Sequence, residues 1–462
     1  MDDYDVIVIG AGPAGENAAG RAAGHGLSVV IVERELIGGE CSYWGCIPSK
    51  TLLRPGDVVA AARRVPGAAE AVTGRIDAAA AFAQRDYMTS SWDDSGQEPW
   101  LEENHVDLVR GAGRLAGTRT VEVDTGDGTR RLTARRAVVL ATGTVPLIPP
   151  IPGLADAAPW DNRDATAAKE VPRRLLVLGG GAIGVEMAQA FRRLGSVEVT
   201  IVEGAPRLLG REEPFAGEEV RAAFEAEGIR VHTGVAMNGV RRARRDGPVT
   251  GVLADGTEVE ADEILVAVGR RPNTADLGLQ TVGLEAGRPV EVDDRLRATG
   301  VDGSWLYAVG DVNGLVALTH MGKYQARIAG DVIAGVDIRD IASKDVVPRV
   351  TFTDPQVCAV GLTEAQARER YDAVRTVTYG TGDVAGAYTQ GKDIKGTSFL
   401  VVDTDRDVII GATFTGPLIA DLLHSATIAI AGQVSLRQLW HAVPSFPTVS
   451  EVWLRLLEEY GV

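Results

Sequence analysis

The 462-residue sequence predicts an α/β chain, and three observations carry that prediction. A pattern of apolar run, glycine turn, alanine-rich helical stretch and second apolar run occurs once near the amino terminus. The same grammar returns in the middle of the chain. The carboxyl-terminal part then changes character, to short strands mixed with one long helix.

The first copy opens with Val6–Ile9 and turns through Gly10-Ala11-Gly12-Pro13-Ala14-Gly15. After its helical stretch, Val29–Val32 ends in Glu33. The second copy opens with Leu175–Leu178 and turns through Gly179-Gly180-Gly181-Ala182-Ile183-Gly184, and its second strand, Val197–Val202, ends in Glu203. Runs this apolar suit a parallel sheet buried on both faces. In G-x-G-x-x-G one glycine makes the tight turn, one admits backbone to a pyrophosphate, and one lets helix pack on strand. The helix N-terminus then faces the phosphates. An acid about 20 residues further on takes a ribose hydroxyl. A single copy is weak evidence, because a merely packed turn reads the same way. Two copies, each with strand, helix and acid, predict two Rossmann-like dinucleotide-binding domains. Glu203 favours NADH, since a carboxylate accepts from the 2′-hydroxyl and repels a 2′-phosphate; Arg207 nearby softens that preference and keeps NADPH open.

Between the copies, residues of about 55–110 read as helical, with a loop at Asp93–Pro99, and Gly111–Val138 reads as a small antiparallel sheet. Pro146, Pro149, Pro150 and Pro152 mark a boundary. From about Val346, strands are expected at Arg349–Phe352, Ser398–Val402 and Val408–Phe414, with a helix at Leu418–Gly432. The length suggests about three domains. The expected division is 1–150, completed by 272–345; then 151–271; then an α+β unit at 346–462.

A net charge of −16 argues against nucleic acid as a partner. The basic run Arg241-Arg242-Ala243-Arg244-Arg245 reads as a solvated face. No stretch approaches the roughly 20 apolar residues that span a bilayer, and the amino terminus lacks the basic start of a signal peptide. Three cysteines are too few for a structural framework and suit a reducing compartment, so cytoplasm is expected, with no membrane partner and no metal site.

Two of those cysteines lie in Gly38-Gly39-Glu40-Cys41-Ser42-Tyr43-Trp44-Gly45-Cys46-Ile47-Pro48-Ser49-Lys50. Five residues of ideal helix rise about 7.5 Å, beyond the usual Cα separation of about 4.4–6.8 Å across a disulfide. Cys41 therefore precedes the helix proper, or the helix is distorted; Gly38, Gly39 and Gly45 supply the freedom and Pro48 suits an early turn. Thiols near a helix start have lowered pKa values.

Here the sequence resembles the flavoprotein disulfide reductases of the dihydrolipoamide dehydrogenase, glutathione reductase and mercuric reductase group. Other motifs fall in the same order. Ala141-Thr142-Gly143 and Val268-Gly269-Arg270-Arg271-Pro272-Asn273 are similar to the family's two connectors. Ala308-Val309-Gly310-Asp311 is similar to its second FAD motif, and Pro348…Phe352-Thr353-Asp354-Pro355 with Val360-Gly361-Leu362-Thr363-Glu364 to the start of its dimerisation domain. The resemblance implies FAD at the first turn and NADH, or NADPH, at the second, and a homodimer formed through 346–462. It implies a redox disulfide in which Cys46 lies against the flavin and Cys41 meets the acceptor, with Lys50 and Glu186 paired beside the ring. The flavin would supply the hydride chemistry. It also implies cofactor contacts at Arg34, Gly39 and Gly113.

Two departures matter. The family's carboxyl-terminal motif carries a histidine as acid–base for the outer thiol, with a glutamate behind it. Here Val443-Pro444-Ser445-Phe446-Pro447-Thr448-Val449-Ser450-Glu451 has Phe446 in that place; Glu451, expected among the catalytic residues, remains but has lost the group it would orient. His441 reads as a surface or packing residue. Ser42, Tyr43 and Trp44 replace a segment that is usually small or aliphatic in the family, often with an asparagine, and Tyr43 and Trp44 leave two readings, lining a substrate pocket or packing. The leading expectation is an NADH-dependent reductase of a small disulfide or other small-molecule electron acceptor. The alternatives are a dihydrolipoamide dehydrogenase of a 2-oxo-acid dehydrogenase complex, a quinone reductase or soluble transhydrogenase, and a redox-sensing flavoprotein with little turnover.

Overall fold

The computed structural model describes residues 2–245 and 247–462. The chain divides into two compact units, the first made of 1–48, 86–146 and 270–344, the second of 49–85, 147–269 and 345–462.

In the first unit, Val106–Arg110, Val29–Glu33, Asp2–Ile9 and Thr129–Leu140 pair in parallel in that order, and Leu306–Ala308 pairs with the far edge of Thr129–Leu140. The start of Thr129–Leu140 turns antiparallel with Thr120–Asp124, which carries Ala112–Leu115. β-Branched residues fill both faces: Val6, Val8 and Ile31 on one side, Ile7, Val30 and Val138 on the other, all essentially inaccessible. Helices Pro13–Gly24 and Thr319–Ala334 pack together over this sheet. Their approach depends on small residues, because a Cβ at Gly330 would sit 2.8 Å from the Arg21 Cβ. It is held by Arg21 and His25, which reach Asp331 at 2.6 Å and 2.7 Å.

The second unit holds a parallel sheet ordered Ile229–Thr233, Glu198–Glu203, Arg174–Leu178 and Glu263–Val266. A separate antiparallel sheet joins Met237–Arg242, Val249–Leu253 and Glu258–Ala261. The carboxyl-terminal part forms a five-stranded antiparallel sheet ordered Arg349–Thr351, Gln356–Gly361, Val408–Gly416, Thr397–Asp403, Val374–Gly380. Helices Leu423–Ala431 and Val452–Tyr460 cover it with Leu423, Ala426, Trp453 and Leu456 against Phe414 and Leu400. Cys358 is buried in that core, which pushes its thiol up to about 12.

Several local expectations change. Residues 106–110 form a strand, because Val106 and Val109 are buried as its neighbour Val29–Glu33 requires. The expected loop at Asp93–Pro99 already enters a helix, Glu98–Glu103, whose first turn tolerates Pro99. The long helix is shorter than expected, because Leu418 adopts a positive φ and a 3₁₀ turn intervenes before Leu423. Arg242 is not solvated: strand pairing turns it inward, where it meets Glu263 at 2.9 Å and the carbonyl of Ala157.

Candidate active site

The first glycine turn is built by close backbone contacts. Gly10 has φ +102°, and a Cβ there would lie 2.5 Å from the Ala141 carbonyl oxygen. At Gly15 it would lie 1.8 Å from the oxygen of Gly10, so only glycine lets the helix Pro13–Gly24 start so close to the strand. Gly12 differs, since its missing Cβ opens toward Gly39, whose Cα would be 4.0 Å away. No side chain caps this helix, and Pro13 needs no partner in its first turn. The Glu33 carboxylate accepts from the N–H of Ala11 at 2.6 Å and of Glu35 at 2.7 Å. Burial raises its pKa against those two bonds. Each oxygen keeps a lone pair for a ribose hydroxyl. Arg34 is exposed beside it.

The second FAD-like motif meets this turn. Gly310 has φ +75°, and a Cβ on it would be 3.2 Å from that of Ala14. Asp311 accepts from the Thr144 hydroxyl at 2.8 Å, and burial raises its pKa. Arg270 donates to that same hydroxyl at 2.8 Å and to Glu40 at 3.1 Å, linking Asp311 to the cysteine segment. The connector residues Thr142 and Asn273 exchange hydrogen bonds at 3.0 Å and 3.2 Å, and the carbonyl of Gly143 accepts from the N–H of Asn273. Gly113 has a packing reason of its own, because a Cβ there would press on Val32 at 3.0 Å. A glycine cradle without side chains, an uncapped helix start and a poised acid are what the phosphates and ribose of FAD require, so these residues fit that cofactor.

The second turn repeats the construction. Gly179 has φ +112° and approaches the Ala267 carbonyl; Gly184 approaches the oxygen of Gly179, where a Cβ would lie at 2.0 Å. Glu203 accepts from Gly180 at 2.6 Å and Ala205 at 2.7 Å. Gly181 has open space where its Cβ would be, and Ile183 is exposed. Gly269, with φ +133°, accepts from the N–H of Leu147. Arg207 donates through one terminal nitrogen, Nη2, to the carbonyls of Gly210 and Glu212 in its own loop, while its buried Nε has no hydrogen-bond partner among the described residues.

The cysteines lie on two helical segments rather than one. Cys41 is in the short helix Gly39–Tyr43; the chain breaks at Trp44-Gly45, and Cys46 begins the helix Cys46–Arg64. Gly45 makes the return possible, because a Cβ on it would stand 3.2 Å from the Cα of Cys41. The Cys46 sulfur lies 3.4 Å from the Thr319 hydroxyl. The expected lowering of thiol pKa does not hold for Cys41. Its hydrogen bond with Cys46 raises it, burial adds to that, and the neighbouring Cys46 charge opposes a second ionisation; Thr319 works weakly the other way. Tyr43 is buried and packs against Trp44 with ring centroids 5.8 Å apart, so packing is the reading that holds for Tyr43.

In the second unit, Lys50 donates to Glu186 at 2.6 Å. The other Glu186 oxygen accepts from the N–H of Phe352 at 2.9 Å, and the Lys50 ammonium sits 5.0 Å above the Phe352 ring. Lys50 lies one turn after Cys46 on the same helix. Glu451 is buried; one oxygen accepts from Arg455 at 2.7 Å and the other has no hydrogen-bond partner among the described residues. Phe446, in the place of the family's histidine, is 76% exposed. Among the described residues no group of histidine, cysteine and acid side chains could hold a metal. Thr319 and Thr144 were missed from the sequence; hydroxyls beside the flavin-like motifs were the available signal.

Two dinucleotide cradles with a cysteine pair and a carboxyl-terminal antiparallel sheet define a flavoprotein reductase. The chain matches the family model of pyridine nucleotide-disulphide oxidoreductases over residues 4–326 and its dimerisation domain over 347–456. A mercuric reductase of Staphylococcus aureus is 32% identical over 97% of this chain and 81% of its own. A dihydrolipoyl dehydrogenase of Chlorobaculum parvum is 35% identical, covering 97% and 95%. Among solved structures, the Cu(II) complex of the HOCl-induced flavoprotein disulfide reductase RclA of Escherichia coli superposes with a TM-score of 0.86 at 25% identity, covering 99% of both chains. LpdA of Mycobacterium tuberculosis, at 24% identity and a TM-score of 0.86 over the whole of both chains, shows the shared fold. The chain belongs to the pyridine nucleotide-disulphide oxidoreductase family, as an FAD-dependent enzyme that uses a pyridine nucleotide and a redox-active cysteine pair. It carries the family's dimerisation domain, and no helix among the described residues is long and apolar enough to cross a membrane.

Proposed function

We propose that this enzyme takes electrons from NADH and passes them through FAD and the Cys41–Cys46 pair to a small-molecule acceptor. It favours acceptors that need no acid–base help from a histidine, quinones among them, over dihydrolipoamide or common small disulfides. The observation that carries this reading is an exposed phenylalanine, Phe446, in the place of the family's histidine, with a buried Glu451 oxygen that has no hydrogen-bond partner among the described residues. Engagement of Arg207 with its own loop supports the preference for NADH over NADPH. When bound, FAD supplies the two-electron chemistry of the ring. Residues 1–150 with 272–345 would bind FAD, 151–271 the nicotinamide nucleotide, and 346–462 a second copy of the chain. A cytoplasmic location without nucleic-acid or membrane partners accords with the acidic charge.

In the first unit the Thr319 hydroxyl lies against the Cys46 sulfur, and in the second Lys50 is held by Glu186. The outer thiol, Cys41, must lose its proton before it attacks, and its raised pKa makes that step slow without a base. Steady-state NADH oxidation with a naphthoquinone, lipoamide and a small linear disulfide tests the reading. The quinone is expected to react fastest, and Phe446→His to raise disulfide turnover by roughly 10²-fold. Lipoamide turnover in the wild type that equals or exceeds quinone turnover would overturn it. Anaerobic NADH is expected to produce long-wavelength absorbance from a Cys46 thiolate beside the flavin, which Cys46→Ser abolishes; persistence in that variant would place the donor elsewhere.

A further inference from the structure

Residues 90–92 carry the most strained stretch of backbone in the first unit. Ser90, Ser91 and Trp92 have φ values of +48°, +51° and +60°, a left-handed turn built without glycine. Each such residue costs about 1–2 kcal/mol, and strain of this kind persists where the surroundings over-determine it. Within the turn, the N–H of Trp92 donates to the Thr89 carbonyl at 2.8 Å, and that of Asp93 to the Ser90 carbonyl at 3.0 Å. Thr89, which leads into it, is buried, and its hydroxyl donates to the Asp86 carbonyl.

What the turn delivers is a grip on the cysteine segment. The Trp92 indole N–H donates to the carbonyl of Tyr43 at 3.2 Å. Two residues further on, the Asp94 carboxylate accepts from the N–H of Ile37 at 2.7 Å and is itself held by Arg110 at 2.6 Å. Ile37 and Tyr43 bracket the helix Gly39–Tyr43, which carries Cys41. Five residues are too few to hold a helix by their own bonds, and the carbonyls of a last turn look outside it for donors. Gly38 and Gly39, with φ of +105° and +58°, leave the entrance to the helix loose. Cys46, by contrast, begins a helix of 19 residues. How closely the two sulfurs are kept together therefore depends on how firmly the short helix is held. Arg270 reaches it from Glu40 at 3.1 Å, so loss of the indole bond loosens the helix without releasing it.

We propose that Trp92 is a positioning residue for the cysteine pair, holding the Cys41 helix from a strained turn so that the disulfide is favoured over the dithiol. The inference rests on the reading of Cys41 and Cys46 as the redox pair. Closing a disulfide requires two sulfurs to be brought together, and a helix already fixed in place has lost part of that freedom beforehand. In exchange with dithiothreitol, one reagent thiolate attacks a sulfur of the Cys41–Cys46 bond, which breaks as a mixed disulfide forms. The second reagent thiolate then attacks the reagent's own bound sulfur, releases the cysteine and closes a cyclic disulfide. Two electrons and two protons pass from the reagent to the pair. A loosened Cys41 helix shifts this balance toward the dithiol.

The test equilibrates holoenzyme, its FAD content confirmed by absorbance, in anaerobic mixtures of reduced and oxidised dithiothreitol. After acid quench and alkylation, modified Cys41 and Cys46 are counted by mass spectrometry. Trp92→Phe keeps the bulk of a ring and removes the N–H; it is expected to shift the equilibrium roughly tenfold toward the dithiol, which corresponds to about 30 mV. Ser91→Gly relieves strain in the turn but keeps the indole, and is expected to leave the equilibrium unchanged. An unchanged equilibrium in Trp92→Phe, even with a lowered Tm, would overturn the role of Trp92, because a merely structural tryptophan moves Tm alone. A shift in Ser91→Gly as large as that in Trp92→Phe would also overturn it, by assigning the effect to the turn rather than to the indole bond. Cysteines 41 and 46 that stay reduced in every mixture would instead overturn the reading of the pair as redox-active.

Discussion

The two glycine turns share a sequence grammar and a backbone construction yet differ in what surrounds them. In both, the first glycine crosses a carbonyl, the third abuts the oxygen of the first, and an acid accepts two backbone N–H groups. Around the first, Gly39, Gly310 and Asp311 come in from distant parts of the chain, and Glu33 is buried. Around the second, Gly181 faces open space and Ile183 is exposed. An enclosed cradle holds a cofactor through many turnovers, whereas an open one lets a nucleotide exchange at each. The difference comes from the later segments folded over the first turn, since the turns themselves are near copies.

The largest expected effect comes from filling each cradle. Gly12→Val sets a branched side chain against Gly39, and the purified protein is expected to lose most of its FAD, read as the ratio of flavin to protein absorbance. Gly181→Val is expected to keep its flavin and to raise the KM for NADH at least tenfold. Flavin loss in both variants alike would erase the contrast between enclosed and open sites.

A smaller effect concerns nucleotide choice. With Glu203 at the strand end and Arg207 engaged with Gly210 and Glu212, kcat/KM for NADH is expected to exceed that for NADPH by roughly tenfold or more, about 1.4 kcal/mol in transition-state binding. Arg207→Ala is expected to leave that ratio nearly unchanged. A collapse of residual NADPH activity in the variant would show that the guanidinium does reach a 2′-phosphate.

The smallest effect is on stability, and it bears on the clamp over the first cradle. Burial works against ionisation of Asp331, but its bonds to Arg21 and His25 outweigh that and hold the carboxyl below its usual value. A depressed folded pKa contributes stability that is fully present above the unfolded value of about 3.9 and is lost as pH falls through the folded value. Asp331→Asn is therefore expected to lower Tm by a few degrees at pH 7, with the gap to wild type closing below about pH 4. A gap independent of pH would assign the loss to packing.

The glycine turns, Glu33, Glu203 and the cysteine spacing were legible in the sequence because each depends on a few neighbouring residues and a local backbone demand, whereas the Lys50–Glu186 pair, 136 residues apart, came only from the family resemblance. The break between Cys41 and Cys46 was legible for the same reason, since ideal helix geometry cannot bring residues five apart together. Residues 106–110 were misread as helix because their strand exists through pairing with Val29–Glu33, and local pattern carries no record of that partner. Arg242 was misread because strand pairing decided which face it occupies. Thr319 reaches Cys46 across 273 residues of sequence, so only packing could single it out. The sequence by itself determined the backbone turns and the chemistry each segment carries. Tertiary structure alone decided which side chains lost water and met, and with them the proton affinities on which the redox chemistry depends.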